Sequence, residues 1–159
     1  MTTRCPECGT PLPEGVPAWT RLLTVADAMT RDPVTLGPEE SLSTGLEVMR
    51  RHGIRRIPIV LDGTLVGLLA EGDLKRAQPS TLSASQEEFN RIMEGTTVSR
   101  IMIEKPVTVA ADVPLVEAAR TLLETKYGAL PVVVSGTVVG ILTDTDLHRC
   151  FVDLLEQGG

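Results

Sequence analysis

The amino-acid sequence predicts an α+β protein in which two pseudo-symmetric β-α-β-β-α units pack as a pair behind a short cysteine-containing leader. Three observations predict it. Slid along itself by 73 positions, the chain meets its own pattern, with Met29 on Met102, Pro33-Val34-Thr35 on Pro106-Val107-Thr108, Pro58 on Pro131 and Asp73-Leu74 on Asp146-Leu147. Each copy holds a segment with apolar residues at helical spacing, followed by two apolar runs split by a Gly-containing break. Runs such as Leu130-Pro131-Val132-Val133-Val134 are apolar throughout, as in a sheet covered on both faces, so neither copy is expected to stand alone.

The repeat keeps one register without a gap. Gly63-Thr64 falls on Gly136-Thr137, Val66-Gly67 on Val139-Gly140 and Leu69 on Leu142, which makes Val25 to Arg76 and Val98 to Arg149 two copies of one unit. Two copies suit a pseudo-symmetric pair better than a solenoid. The expected organisation is a leader over 1–24, a first domain over 25–77, a helical connector over 78–97 and a second domain with a C-terminal helix over 98–159.

Within the first copy, Leu42, Leu46 and Met49 share one helical face, with Ser41 as N-cap. Leu115, Ala118, Leu122 and Leu123 repeat the pattern behind Pro114, which a first helical turn tolerates. The breaks Asp62-Gly63 and Ser135-Gly136 mark hairpins, Ile57 to Leu61 with Leu65 to Leu69, and Leu130 to Val134 with Val138 to Leu142. A further strand is expected at Val34 to Leu36 and at Val107 to Val109, and closing helices near Glu71 and Asp144. In the connector, Phe89, Ile92 and Met93 give a helix an apolar face with which to pack on the body.

Composition narrows the function. Net charge is −6 and the isoelectric point about 4.9, so the overall field repels nucleic acid and anionic lipid. Aromatic residues make up 3% of the chain, too few for a base-stacking platform. No apolar stretch approaches the roughly 20 residues of a spanning helix, and the start lacks the apolar core of a secretory signal. The three cysteines are an odd count that does not suit a closed disulfide framework. A cytoplasmic protein without membrane or nucleic-acid partners is expected.

Residues Val25-Ala26-Asp27-Ala28-Met29-Thr30-Arg31-Asp32-Pro33-Val34-Thr35, then Gly53-Ile54-Arg55-Arg56-Ile57-Pro58, then Gly67-Leu68-Leu69-Ala70-Glu71-Gly72-Asp73, resemble the first domain of a cystathionine β-synthase-type (CBS) pair. The second copy is more similar still. Gly140-Ile141-Leu142-Thr143-Asp144-Thr145-Asp146 matches the family's Gly, two apolar residues, Ser or Thr, two variable residues and Asp. The connector is similar to that of stand-alone bacterial pairs of the acetoin-utilisation type. The resemblance implies a regulatory, non-catalytic homodimer that binds AMP, ADP, ATP or S-adenosylmethionine in clefts between the domains, requires no cofactor and is read by an effector protein. It also implies the residues. One cleft would use Thr143 and Asp146 with Val34, Ile54, Arg55 and Arg56. Its mate would use Asp73 with Val107, Tyr127, Gly128 and Ala129.

These roles make physical sense. A carboxylate such as Asp146 in a first helical turn can accept both hydroxyls of a ribose, and hydrogen bonds to a charged group contribute on the order of 1.5–3 kcal/mol each. Thr143 adds a hydroxyl, and Ile141, Val34 and Ile54 offer apolar walls for a purine. Both aspartates also have a plain role as acids complementing a helix dipole, and Arg50, Arg51, Arg55 and Arg56 form a basic cluster suited either to solvent or to a phosphate. Ala70 stands where the pattern has Ser or Thr, so the Asp73 cleft is expected to be the weaker.

Cys5-Pro6-Glu7-Cys8-Gly9 has the spacing of a zinc knuckle, but supplies two ligands rather than four. The leader is therefore either a vestige, a zinc site shared across a dimer through Cys5 and Cys8, or a redox pair. Cys150, among Leu147, Phe151 and Leu154, reads as a helix-face core residue. No phosphate-loop, zinc-protease or nucleophile-elbow signature occurs. Besides ligand sensing, an empty-clefted dimerisation scaffold and a zinc-dependent assembly module fit the same sequence.

Overall fold

Residues 23–157 are described in the computed structural model, and in them the duplicated sequence becomes duplicated structure. The first half runs α1 (Val25–Ala28), β1 (Thr30–Arg31), α2 (Leu42–His52), β2 (Arg56–Leu61), β3 (Thr64–Ala70) and α3 (Glu71–Ala77). A connecting helix α4 (Gln86–Gly95) leads to a 3₁₀ turn at Val98–Arg100, β4 (Ile103–Glu104), α5 (Leu115–Glu124), β5 (Ala129–Val134), β6 (Thr137–Thr143) and α6 (Asp144–Gln157).

Local chemistry sets these elements. The Ser41 hydroxyl accepts the Thr44 N–H at 3.1 Å and opens α2, which ends on Gly53 with φ of 63° and its N–H on the Met49 carbonyl. Both hairpins turn through two residues of positive φ, Asp62 and Gly63 (50° and 78°) and Ser135 and Gly136 (51° and 81°). Positive φ at both central residues is the type I′ geometry whose twist matches that of the strands.

The third strand of each sheet comes from the other half. The sheets have the orders β1-β6-β5 and β2-β3-β4, so β1 pairs with β6 through Thr30↔Ile141 and Arg31↔Gly140, while β4 pairs with β3 through Ile103↔Leu68 and Glu104↔Gly67. The preceding segments cross over as well. Val25 and Ala26 donate to the carbonyls of Val113 and Ala111, and Val98 and Ser99 donate to those of Glu40 and Pro38. Gly67 and Gly140 permit the crossing: a Cβ on Gly140 would lie 3.0 Å from the Thr30 carbonyl oxygen and 2.6 Å from the Met29 sulfur.

The segments at Val34–Leu36 and Val107–Val109 are not strands, contrary to the periodicity. Each supplies one residue in a parallel bridge, Leu36 to Ile59 and Val109 to Val132. Leu36 donates to the Pro58 carbonyl, so the N–H that Pro58 lacks would also have faced this sparsely bonded edge, away from β3.

Three apolar clusters follow. Leu42, Met49, Ile57, Ile59, Leu69 and Leu74 form the first core, which Met93 of α4 and Val98 complete. Leu115, Ala118, Leu122, Leu130, Val132 and Leu142 form the second, with Val25 of α1 inserted. Leu68, Ala129 and Ile141, flanked by Ile103 and Tyr127, join the halves. At about 25 cal/mol per Å² of apolar surface removed from water, each exchanged valine stabilises the opposite half by roughly 1.5–3 kcal/mol. Among the described residues no helix is long and apolar enough to cross a membrane.

Candidate functional site

A cleft of about 600 Å³ opens where the loop after β1, the end of α2 and the start of β2 face the junction of β6 with α6. All seven residues expected at the stronger site, Val34, Ile54, Arg55, Arg56, Ile141, Thr143 and Asp146, line it. They come from both halves because the exchange of β1 carries the following loop across to β6.

Asp146 sits on the first turn of α6, 4% exposed, the one charged side chain buried among the described residues. Its Oδ2 accepts the N–H and the hydroxyl of Thr143, each at 2.9 Å, and its Oδ1 accepts the Thr30 hydroxyl at 2.9 Å. The Asp146 N–H returns to the Thr143 hydroxyl at 3.3 Å, which closes the β6–α6 junction, and Arg149 stands 3.5 Å from Oδ1. A buried carboxylate needs such partners to make up for the water it has lost. Two of its donors are hydroxyl rotors, which can accept from a sugar hydroxyl that takes their place on the carboxylate.

The rest of the cleft divides by chemistry. Val34, Ile54 and Ile141 form an apolar wall, and His52, Arg55, Arg56 and Arg149 surround the opening with donors. The Arg56 Nε donates to the Tyr127 carbonyl at 2.5 Å and its guanidinium to the Arg55 carbonyl at 3.1 Å, which holds that group in place across the two halves. Arg55 extends into solvent, 3.8 Å from Glu71. A hydrogen bond from Lys75 holds the Glu71 carboxyl below its ordinary range; burial opposes this, and the charges of Lys75, Arg55 and Arg56 reinforce it.

The residues expected at the second cleft are placed differently. The Tyr127 hydroxyl accepts the Val107 N–H at 2.8 Å, so those two meet. Asp73 is ion-paired with Arg76. Gly128, with φ of 63°, lines the first cleft, where a Cβ would come within 2.8 Å of an Asp144 carboxylate oxygen. Ala129 is fully buried in the central cluster.

Sequence reasoning missed Thr30, His52, Asp144 and Arg149. A signal for Thr30 was present, since its counterpart in the second copy is Ile103, an exchange of a hydroxyl for an ethyl group beside only one of the two aspartates. Cys5 and Cys8 lie outside the described residues. Cys150 is a free thiol packed against the second core; burial pushes it up, with the charges of Asp153 and Asp27 adding. Among the described residues no group of three or more His, Cys, Asp or Glu side chains is placed to hold a metal ion.

Comparison with known proteins agrees with the duplication. The model of the CBS domain matches residues 25–80 and again 98–153. A CBS domain-containing protein of Dictyostelium discoideum is 32% identical over 135 residues, 83% of this chain and 93% of its own length. An inosine-5'-monophosphate dehydrogenase of Korarchaeum cryptofilum is 30% identical over 118 residues, 74% of this chain and 22% of the enzyme's length. Among solved structures, a Vibrio cholerae protein ascribed to acetoin utilization superposes with a TM-score of 0.75 at 33% identity, covering 86% of this chain and 97% of its own. CBSX2 of Arabidopsis thaliana, solved in complex with AMP, gives 0.69 at 32% identity, covering 82% and 97%. The domain pair of protein MJ0100, solved with 5'-methylthioadenosine and S-adenosyl-L-methionine, gives 0.69 at 27%, covering 83% and 98%.

Proposed function

Because the chain belongs to the CBS domain family, we propose that it is a non-catalytic regulatory module whose Asp146 cleft holds an adenosine-containing ligand. The observation that carries this is the placement of Asp146, a buried carboxylate on the wall of a cleft whose two hydroxyl partners can rotate. The ribose sits on Asp146 and Thr143, and the purine lies between Val34, Ile54 and Ile141. Arg55 and Arg56 meet phosphate, which favours AMP, ADP or ATP over the cationic S-adenosylmethionine. The neighbourhood of Asp73, Val107 and Tyr127, where Ala70 supplies no hydroxyl, is the weaker cleft, weakly filled or empty. A homodimer in the cytoplasm, with an effector protein that reads the packing of the two halves, completes the reading. AMP bound in CBSX2 and S-adenosyl-L-methionine bound in the MJ0100 pair support it.

Thermal unfolding with AMP, ADP, ATP and S-adenosylmethionine tests it. A ligand at a hundred times its Kd adds about 2.7 kcal/mol, which at roughly 2–4 °C per kcal/mol raises Tm by on the order of 5–10 °C. Asp146→Asn keeps the shape, removes the charge and should abolish the rise. A panel without any shift, or a full shift in Asp146→Asn, overturns the reading.

A further inference from the structure

Moving the walls of the first cleft by 73 positions gives their counterparts in the other half, and there the two halves part company. Val34 and Ile54 border open space. At the counterpart positions the Val107 N–H is taken by the phenol of Tyr127, at 2.8 Å. Ile141 keeps 6% exposure in the first cleft, whereas its counterpart Leu68 keeps none. Asp73 also lacks both hydroxyl partners that hold Asp146, because Ala70 stands for Thr143 and Ile103 for Thr30; of the side chains around Asp146 it keeps the counterpart of Arg149, Arg76.

We propose that Tyr127 closes the second cleft from within, so that the chain takes one ligand. The Tyr127 phenol presents an acceptor to the Val107 N–H, a hydrogen bond that a purine ring nitrogen entering the cleft would otherwise be free to accept, and Tyr127 makes it intramolecularly. Tyr127 also packs against the Leu68, Ala129 and Ile141 cluster that joins the halves, and its carbonyl holds Arg56 of the open cleft at 2.5 Å. The closure therefore fixes a donor of the working site as well as filling the idle one. This deepens the reading above, which supplies the probe, AMP.

Tyr127 is the single tyrosine of the chain. Calorimetric titration of the full chain with AMP should give one equivalent. The variant Tyr127→Ile with Ala70→Thr and Ile103→Thr, which opens the second cleft and supplies both hydroxyls to Asp73 but leaves Gly128 and Ala129 where the first has Arg55 and Arg56, should take two equivalents of adenosine. Independently of any ligand, Tyr127→Phe should speed hydrogen exchange at the Val107 amide by about tenfold, the expected effect of losing one hydrogen bond. Two equivalents in the unaltered chain, or a triple variant that folds and still takes one, overturns the proposal. If the unaltered chain binds no AMP, the functional reading fails by itself. The Val107 amide then decides: faster exchange in Tyr127→Phe upholds closure, and unchanged exchange refutes it.

Discussion

The Thr30 hydroxyl donates to Asp146 across 2.9 Å although the two residues are 116 positions apart in the chain. This is a side-chain tie between the first half's β1 and the helix that opens the second half's site. Removing the donor leaves a buried carboxylate short of a partner, which costs about 1–3 kcal/mol. Thr30→Val should lower Tm by several degrees in thermal denaturation, and Thr30→Ser should restore most of it. Equal loss in both variants would show that the methyl group, not the hydroxyl, matters.

Close backbone approach makes a second expectation. Gly140→Ala would push a methyl against the Thr30 carbonyl at 3.0 Å and against Met29, in the middle of the exchanged strand pair. Overpacking of this kind costs about 1–3 kcal/mol. Gly95→Ala, at the end of α4 with nothing within 4 Å of the added carbon, should instead gain roughly 0.5–1 kcal/mol. Urea unfolding of the two variants checks the contrast.

The cations around the cleft make a third. Arg55→Ala should weaken AMP by about ten- to a hundredfold, as loss of a charge-assisted hydrogen bond does, and adenosine hardly at all. Arg56→Ala should weaken both ligands and also stability, because this guanidinium holds the Tyr127 carbonyl. Calorimetry with AMP and adenosine separates phosphate recognition from positioning.

Reactivity gives a fourth. Burial raises the Cys150 thiol, with Asp153 and Asp27 adding to the effect, so its thiolate fraction at a given pH is below that of a free cysteine. In a Cys5→Ser, Cys8→Ser background, alkylation at pH 8 followed by mass spectrometry should be several-fold slower than for a model thiol. It should reach the model rate in denaturant.

How much of this was legible depended on the range of each interaction. Helix α2, both hairpins and the start of α6 were readable because Ser41, Asp62-Gly63 and the spacing of Leu42, Leu46 and Met49 act within a few residues. The seven residues of the Asp146 cleft were reached through the repeat and the family resemblance together. The strands β1 and β4 were not, since two residues carry no alternation and their partners lie in the other half. Val34–Leu36 has the β-branched character of a strand but meets only one bridging residue. Thr30 was passed over with β1 although its exchange for Ile103 marked it, and Gly128, at positive φ close to Asp144, lines the first cleft rather than the second.

Each half lodges its opening segment in the sheet of the other, and this interlock limits the movements available to the molecule. Clam-like separation would strip both two-residue pairings and pull Val25 and Val98 out of foreign cores. Rotation about the Leu68, Ala129 and Ile141 contact would disturb those attachments less than separation does. On the reading proposed above, a signal leaving the cleft would be carried as torsion, and an effector would have to sense a change of angle rather than a gap.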